Sequence, residues 1–295
     1  MRNLLNKLKE YKYRNEALLV FYLAAITTVV IYRPDTIWFF VIGVGIMIPL
    51  EFIFRRHKMT TFHKSMFTDT LHVTIDPVLS MVPIALVYSV LEPLQITSAS
   101  TAIASQPRWL QILEAFLFKG LFGYWQHRLA HEIPLLWRLH AVHHSPSQLN
   151  WISGERRHPF DSVWGSTFTA IPMVLTGFNL IDLGYLAMVS RVWDYTIHAN
   201  LNWRLRFLKY LWVSPEYHHW HHSKEKEAWN KNYSGLLPIY DLIFGTFYLP
   251  KDKSPQHYGI PGGMSDDYID QMLYPFQKHE ITEEFISNGP VEGHK

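Results

Sequence analysis

The residues best suited to chemistry in this chain are histidines, 17 of them in 295 residues. Most fall in three clusters: His127-Arg128-Leu129-Ala130-His131, His140-Ala141-Val142-His143-His144 and His218-His219-Trp220-His221-His222. On a helix, residues at i and i+3 or i+4 share a face about 5–6 Å apart, so His127 and His131 can point at one metal ion. In each H-x-x-H-H run the first histidine can do the same with both members of the following pair. His219 faces away when His218 and His222 face inward. Eight imidazoles (His127, His131, His140, His143, His144, His218, His221 and His222) are too many for one ion and suit two. Imidazole serves zinc, copper, iron and nickel, so ligand type leaves the metal open. The zinc-hydrolase pattern H-E-x-x-H is absent, because no histidine follows His131-Glu132 at the required spacing. An all-nitrogen dinuclear site at a membrane surface favours iron and oxygen chemistry over hydrolysis. His57, His63, His72, His257, His279 and His294 read as ordinary surface or core histidines. His198 is read as a ligand or a ligand's support, and His158, in Arg157-His158-Pro159, as a support.

Composition narrows the setting. Charged residues make up 18%, against about 25% in soluble domains, while 48% of residues are hydrophobic and 15% aromatic. Mean hydropathy close to zero excludes a chain that is mostly embedded in lipid. The combination fits several membrane segments joined to a substantial polar region. With no cysteine, the chain has no disulfide, thiolate nucleophile, Cys-ligated zinc, iron–sulfur cluster or thiolate-bound haem. A net charge of +2 gives no indication of nucleic acid.

The elements that must position these histidines follow from the apolar runs. Ala17 to Tyr32 and Ile37 to Phe54 form a helical hairpin with basic residues at both outer ends, which puts those ends in the cytoplasm. Leu71 to Leu94 and Trp109 to Trp125 supply a third and a fourth span, each near the lower length limit. Glu114 and Lys119 in the fourth run should face other helices. Two shorter apolar halves between 162 and 192, split at Thr176-Gly177-Phe178-Asn179, read as a hairpin dipping into the bilayer. The sequence therefore predicts an all-α integral membrane protein. About four transmembrane helices and the hairpin carry a histidine-rich catalytic cap on the cytoplasmic side. Residues 1–126 hold the spans, 127–250 the histidine-rich region and 251–295 a polar tail. A histidine-based metal transporter would instead place its histidines inside the spans.

With these motifs in place, the chain resembles the fatty acid hydroxylase (sterol desaturase) superfamily of membrane non-haem di-iron oxygenases. Within it, the chain is similar to the branch containing alkylglycerol monooxygenase. The likeness runs from about Trp109 to Leu249. It is carried by Tyr124 to His131, Leu136 to Ser145, Arg157-His158-Pro159, His198-Ala199-Asn200, Ser214 to Ser223, Asn232-Tyr233-Ser234-Gly235 and Tyr240 to Thr246. The resemblance implies that the eight histidines bind two iron ions, and that His198 is a further histidine at the metal site. It also makes His158, Glu132, Asp241 and Asn232 candidate supports for the ligands. It implies hydroxylation of an unactivated C–H bond of a lipid (fatty acyl, sterol or ether-lipid type) by O2, with desaturation as the alternative. Pro261-Gly262-Gly263 lacks the histidine of a haem-binding His-Pro-Gly-Gly, so a separate electron donor is expected: a reductase, a ferredoxin or a cytochrome b5-type carrier. Arg128, Arg138 and Arg157 are candidate contacts for a lipid head group. With no endoplasmic-reticulum retention signal at the ends, a bacterial inner membrane is favoured over that organelle.

Overall fold

Long apolar runs with few turn residues favour helices. The computed structural model describes residues 43–58, 65–178 and 180–277 and is built from helices. Among the described residues there is no β-sheet, and two isolated bridges, Arg55–Leu201 and Ser223–Tyr258, tie distant loops together. The first expected run, Ala17 to Tyr32, lies outside the described residues. The described part of the second is a π-turn, Gly43–Met47, continuing into α1 (Ile48–Ile53). Glu51 of α1 turns inward, where its carboxylate accepts the backbone N–H groups of Trp151 and Asn200, each at 2.8 Å.

Helix α2 (Met66–Leu91) has two characters. Its first half buries Leu71, Val73 and Ile75 together with Asp69, His72 and Asp76. Its second half exposes Leu79, Val82, Leu86 and Val90. Extended by a 3-10 turn to Leu94, it is the one helix among the described residues long and apolar enough to cross a membrane. The other helices that build the site are α3 (Thr97–Ala104), α4 (Arg108–Glu132), α5 (Pro134–His140), α6 (Pro159–Leu175), α7 (Leu180–His198) and α8 (Pro215–His221).

The apolar stretch 162–192 falls within α6 and α7. Helix α6 ends at Gly177 (φ 83°), with Phe178 N bonded to Met173 O and Gly177 N to Val174 O. A left-handed residue at this position favours glycine. A Cβ there would also lie 2.4 Å from Ser100 of α3. The two arms pack on other partners more than on each other, α6 on α2 and α4, and α7 chiefly on α8.

The polar tail expected from residue 251 is instead built into the body as far as residue 277. Ile260 and Tyr274 pack with Trp137 and Ala141, and Tyr268 of α9 (Tyr268–Leu273) packs on Leu71 and Ile75. A buried polar chain fastens this segment to α2. His72 Nδ1 meets Asp76 Oδ2 at 2.5 Å, His72 Nε2 meets Gln271 Oε1 at 2.7 Å, and Tyr268 donates to Asp76 Oδ1 at 2.7 Å. Composition hid this docking because buried polar groups satisfied by one another look like surface residues in sequence.

Candidate metal centre

Each histidine sits where a helix starts or stops. His127 and His131 occupy the last two turns of α4, His140 ends α5, and His143 and His144 form the turn after it. His198 is the last residue of α7. Helix α8 is started by Ser214, whose Oγ accepts from Tyr217 N at 3.2 Å, and by Pro215 in the first turn, as a strong helix N-terminus requires. That start sets the faces of His218, His221 and His222.

Nine imidazoles gather into two groups. The first holds His127, His131, His140, His144 and His221, and the second His143, His198, His218 and His222. Within each group the candidate ligand nitrogens lie within 4.8 Å of one another. Both H-x-x-H-H runs are divided between the groups: His140 and His144 go one way and His143 the other, while His218 and His222 part from His221. The rings of His144 and His222 stack at 4.3 Å and join the two groups. His219 belongs to neither, because its Nε2 donates to Ala199 O at 3.0 Å and its Nδ1 lies 3.2 Å from Tyr258 OH.

The ring orientations fit a cation. His127 Nδ1 faces Tyr233 O at 2.7 Å and His140 Nδ1 faces Asp161 Oδ2 at 3.1 Å, so both Nδ1 atoms carry the proton and both Nε2 atoms present lone pairs. Those two Nε2 atoms are 3.0 Å apart. In the second group His143 Nδ1 donates to Arg156 O at 3.3 Å and His198 Nδ1 to Asp194 O at 2.8 Å, and their Nε2 lone pairs also meet, at 3.3 Å. Lone pair against lone pair is repulsive without a cation to receive both. The Nε2 atoms of His144 and His221 are buried and have no hydrogen-bond partner, while His221 Nδ1 donates to Lys231 O at 2.7 Å. Desolvation by burial, reinforced by neighbouring imidazoles, holds His127, His131, His143, His144, His218 and His222 well below the ordinary histidine pKa, and burial brings His221 to about 3. They are therefore neutral at pH 7, the form that binds metal.

The predicted supports separate on inspection. Asn232 is buried with φ 61° and uses its side chain on Tyr217 O, Tyr248 O and Tyr248 N, at 2.7–3.0 Å. It fixes the turn whose flanking carbonyls, Lys231 and Tyr233, receive His221 and His127. Asp241, also buried, accepts Tyr233 N, Ser234 N and Thr246 Oγ1, and so holds the same turn from its other side. Glu132, in contrast, pairs with Arg128 at 2.7 Å on the outer part of α4. His158 caps α6: its Nδ1 accepts from Phe160 N at 3.2 Å and its Nε2 donates to Met272 O at 3.3 Å, contacts that burial favours by pushing its pKa to about 4. Sequence reasoning missed Asp161, three residues past His158 and one turn into α6. It also missed Gly154, where a Cβ would fall 2.6 Å from His198 Nδ1.

Comparison with known proteins gives the same boundaries. Residues 112–246 match the fatty acid hydroxylase family model. The chain is 34% identical over 186 residues to an ornithine lipid hydroxylase, OlsE, of Rhizobium tropici, covering 63% of this chain and 56% of that protein. It is 31% identical over 139 residues to the alkylglycerol monooxygenase of Homo sapiens (47% and 31%). It is 32% identical over 148 residues to methylsterol monooxygenase 2-2 of Arabidopsis thaliana (48% and 54%). The chain thus spans about half or less of the length of these curated relatives. No solved structure matches it. All nine gathered histidines fall within residues 112–246, the stretch that is similar to the fatty acid hydroxylase family.

Proposed function

We propose that this protein is a membrane-bound di-iron oxygenase that uses O2 to hydroxylate an unactivated C–H bond of a lipid. The observation that carries this reading is the convergence of nine buried imidazoles into two groups with lone pairs turned inward. An iron ion in each group would supply the activation of O2 and the removal of hydrogen from the C–H bond. The chain's own residues do the rest. His127, His131, His140, His144 and His221 would hold one ion, and His143, His198, His218 and His222 the other. The carbonyls of Tyr233, Lys231, Arg156 and Asp194 and the carboxylate of Asp161 fix each ring's tautomer and angle, the role such partners play at metal-binding histidines. Burial of the cage keeps bulk water away from the reacting carbon.

A lipid substrate accords with the exposed apolar residues of α2, of α4 (Trp109, Ile112, Leu113, Leu117) and of α7 (Tyr185, Met188, Val189). It accords too with the names of the relatives, which are hydroxylases or monooxygenases of ornithine lipids, alkylglycerols and methylsterols. The topology we propose has four spans, both ends and the histidine cap in the cytoplasm, in a bacterial inner membrane, with electrons delivered by a separate donor protein. The direct test is lipid mass spectrometry of membranes with and without the protein under 18O2. Gain of one labelled oxygen is expected. Loss of two hydrogens would assign a desaturase, and no lipid change would overturn the oxygenase reading.

A further inference from the structure

Arg156 is fully buried, a position that arginine rarely occupies unless it is paired. Its partners come from three separate stretches of chain. Nε donates to Asp69 Oδ1 of α2, and Nη2 donates to the carbonyl of Ser65, just before that helix, at 3.3 Å. Nη1 donates to Asp266 Oδ1, two residues before α9, at 3.1 Å, and to Ser145 Oγ at 3.4 Å. Ser145 follows His143 and His144, and its own hydroxyl donates back to Val142 O at 2.7 Å. A guanidinium offers its donors in one rigid plane, so acceptors from three directions fix its orientation.

The backbone at Arg156 is gripped on both sides as well. Glu155 pairs with Arg191, and Arg157 Nη2 donates to Asp194 Oδ2 at 2.8 Å, so both neighbours are tied to α7. Between them the Arg156 carbonyl accepts from His143 Nδ1 at 3.3 Å. Arg156 therefore reaches the His143 turn twice, at the ring through its carbonyl and at Ser145 through its guanidinium. A buried ion pair adds little stability over an apolar pair of the same volume. What this one supplies is direction.

We propose that Arg156 is a positioning residue of the second histidine group: anchored by Asp69 and Asp266, it sets the angle at which His143 presents Nε2. Partners of this kind orient the imidazoles that hold a metal and tune their affinity. Asp266 lies 110 positions along the chain from Arg156, so the segment beyond residue 251 completes the seat of a histidine it does not carry. This inference rests on the reading of the two groups as metal sites, and its test separates the two by measuring metal binding without turnover.

Full-length protein in detergent, freed of metal and kept anaerobic, is titrated with Co2+ and followed by the ligand-field absorption of the bound ion. The unaltered protein should take up two ions per chain. Arg156→Lys keeps the charge and gives up the planar fork. It should weaken one ion about 10–100-fold and shift that ion's absorption, leaving the other unchanged. The weakened ion should be the one that His218→Ala removes. Asp266→Ala should weaken the same ion by less. The Asp266 side chain is exposed and its carbonyl stays bonded to Thr68, so this variant folds even if Arg156→Lys does not. Tyr268→Phe is the control: it takes a hydrogen bond to Asp76 from the same segment without touching Arg156, and both ions should bind as before. Unchanged binding of both ions in Arg156→Lys or in Asp266→Ala would overturn the proposal, as would an equal loss in Tyr268→Phe. Fewer than two ions in the unaltered protein would sink the reading of two metal sites, and the role of Arg156 with it. Two ions there, with both variants normal, would sink the role of Arg156 alone.

Discussion

In the first histidine group, two rings are held by carbonyls of a single turn, Lys231 and Tyr233, and a third by a carboxylate, Asp161. In the second, two rings are held by carbonyls from separate segments, Arg156 of the loop before α6 and Asp194 of α7. The first group thus depends on one organised turn, whose own anchors are the Asn232 and Asp241 side chains. The second depends on how closely the 153–157 loop packs against α7, with Gly154 at the contact. One residue type, placed in two neighbouring groups, is oriented by side-chain chemistry in one and by backbone packing in the other. The two should therefore break differently.

The largest effect is expected from His143→Ala, which removes a nitrogen from the second group. Turnover should be abolished and metal content reduced, while the protein still inserts, because insertion depends on the apolar runs. Near-normal product formation by this variant in matched membranes would remove His143 from the cage. Asp241→Ala comes next. It strands two buried backbone donors, Tyr233 N and Ser234 N, each costing about 1–3 kcal/mol, so a loss of at least about 2 kcal/mol is expected in chemical denaturation, the Thr246 hydroxyl keeping Tyr124 OH as a partner. Metal should be lost from the first group before the second. Gly154→Ala reverses that order: it pushes on His198, and metal affinity of the second group should fall by about 10–100-fold with the first group spared. Equal weakening of both groups in either variant would show that the division between them is not physical. The smallest effect belongs to His158→Ala, which removes a helix cap worth about 1 kcal/mol and should leave metal content unchanged. A fall in metal content would return His158 to the metal site.

Much of the site was legible in the sequence because its spacing is local. The i, i+4 pairs, the Ser214-Pro215 start of α8 and the glycine turn at 177 are each decided within a few residues. Local spacing does not say which members of an H-x-x-H-H run part company, since that follows from where α5 and α8 meet. The carbonyls of Arg156, Asp194, Lys231 and Tyr233 left no trace, as any residue type offers one. Long-range polar contacts were equally hidden. His57 reads as one more basic residue beside Arg55, Arg56 and Lys58. In the structure its backbone N–H donates to Asn200 Oδ1 at 2.9 Å and its ring lies 2.8 Å from Tyr258 OH. Asp161 was passed over because nothing in Pro159-Phe160-Asp161 indicates that α6 packs its first turn on His140. The membrane face divides in the same way: α2 was visible from its apolar run, but Leu71 and Ile75 in its first half pack on residues 268–272, far along the chain.

The most direct measurement is the metal content of purified protein reconstituted with ferrous iron, by elemental analysis, beside His221→Ala and His218→Ala. Two groups of inward lone pairs require about two ions per chain in the unaltered protein, with each variant reduced from that value through a different group. One ion per chain, retained in full by both variants, would contradict the dinuclear cage.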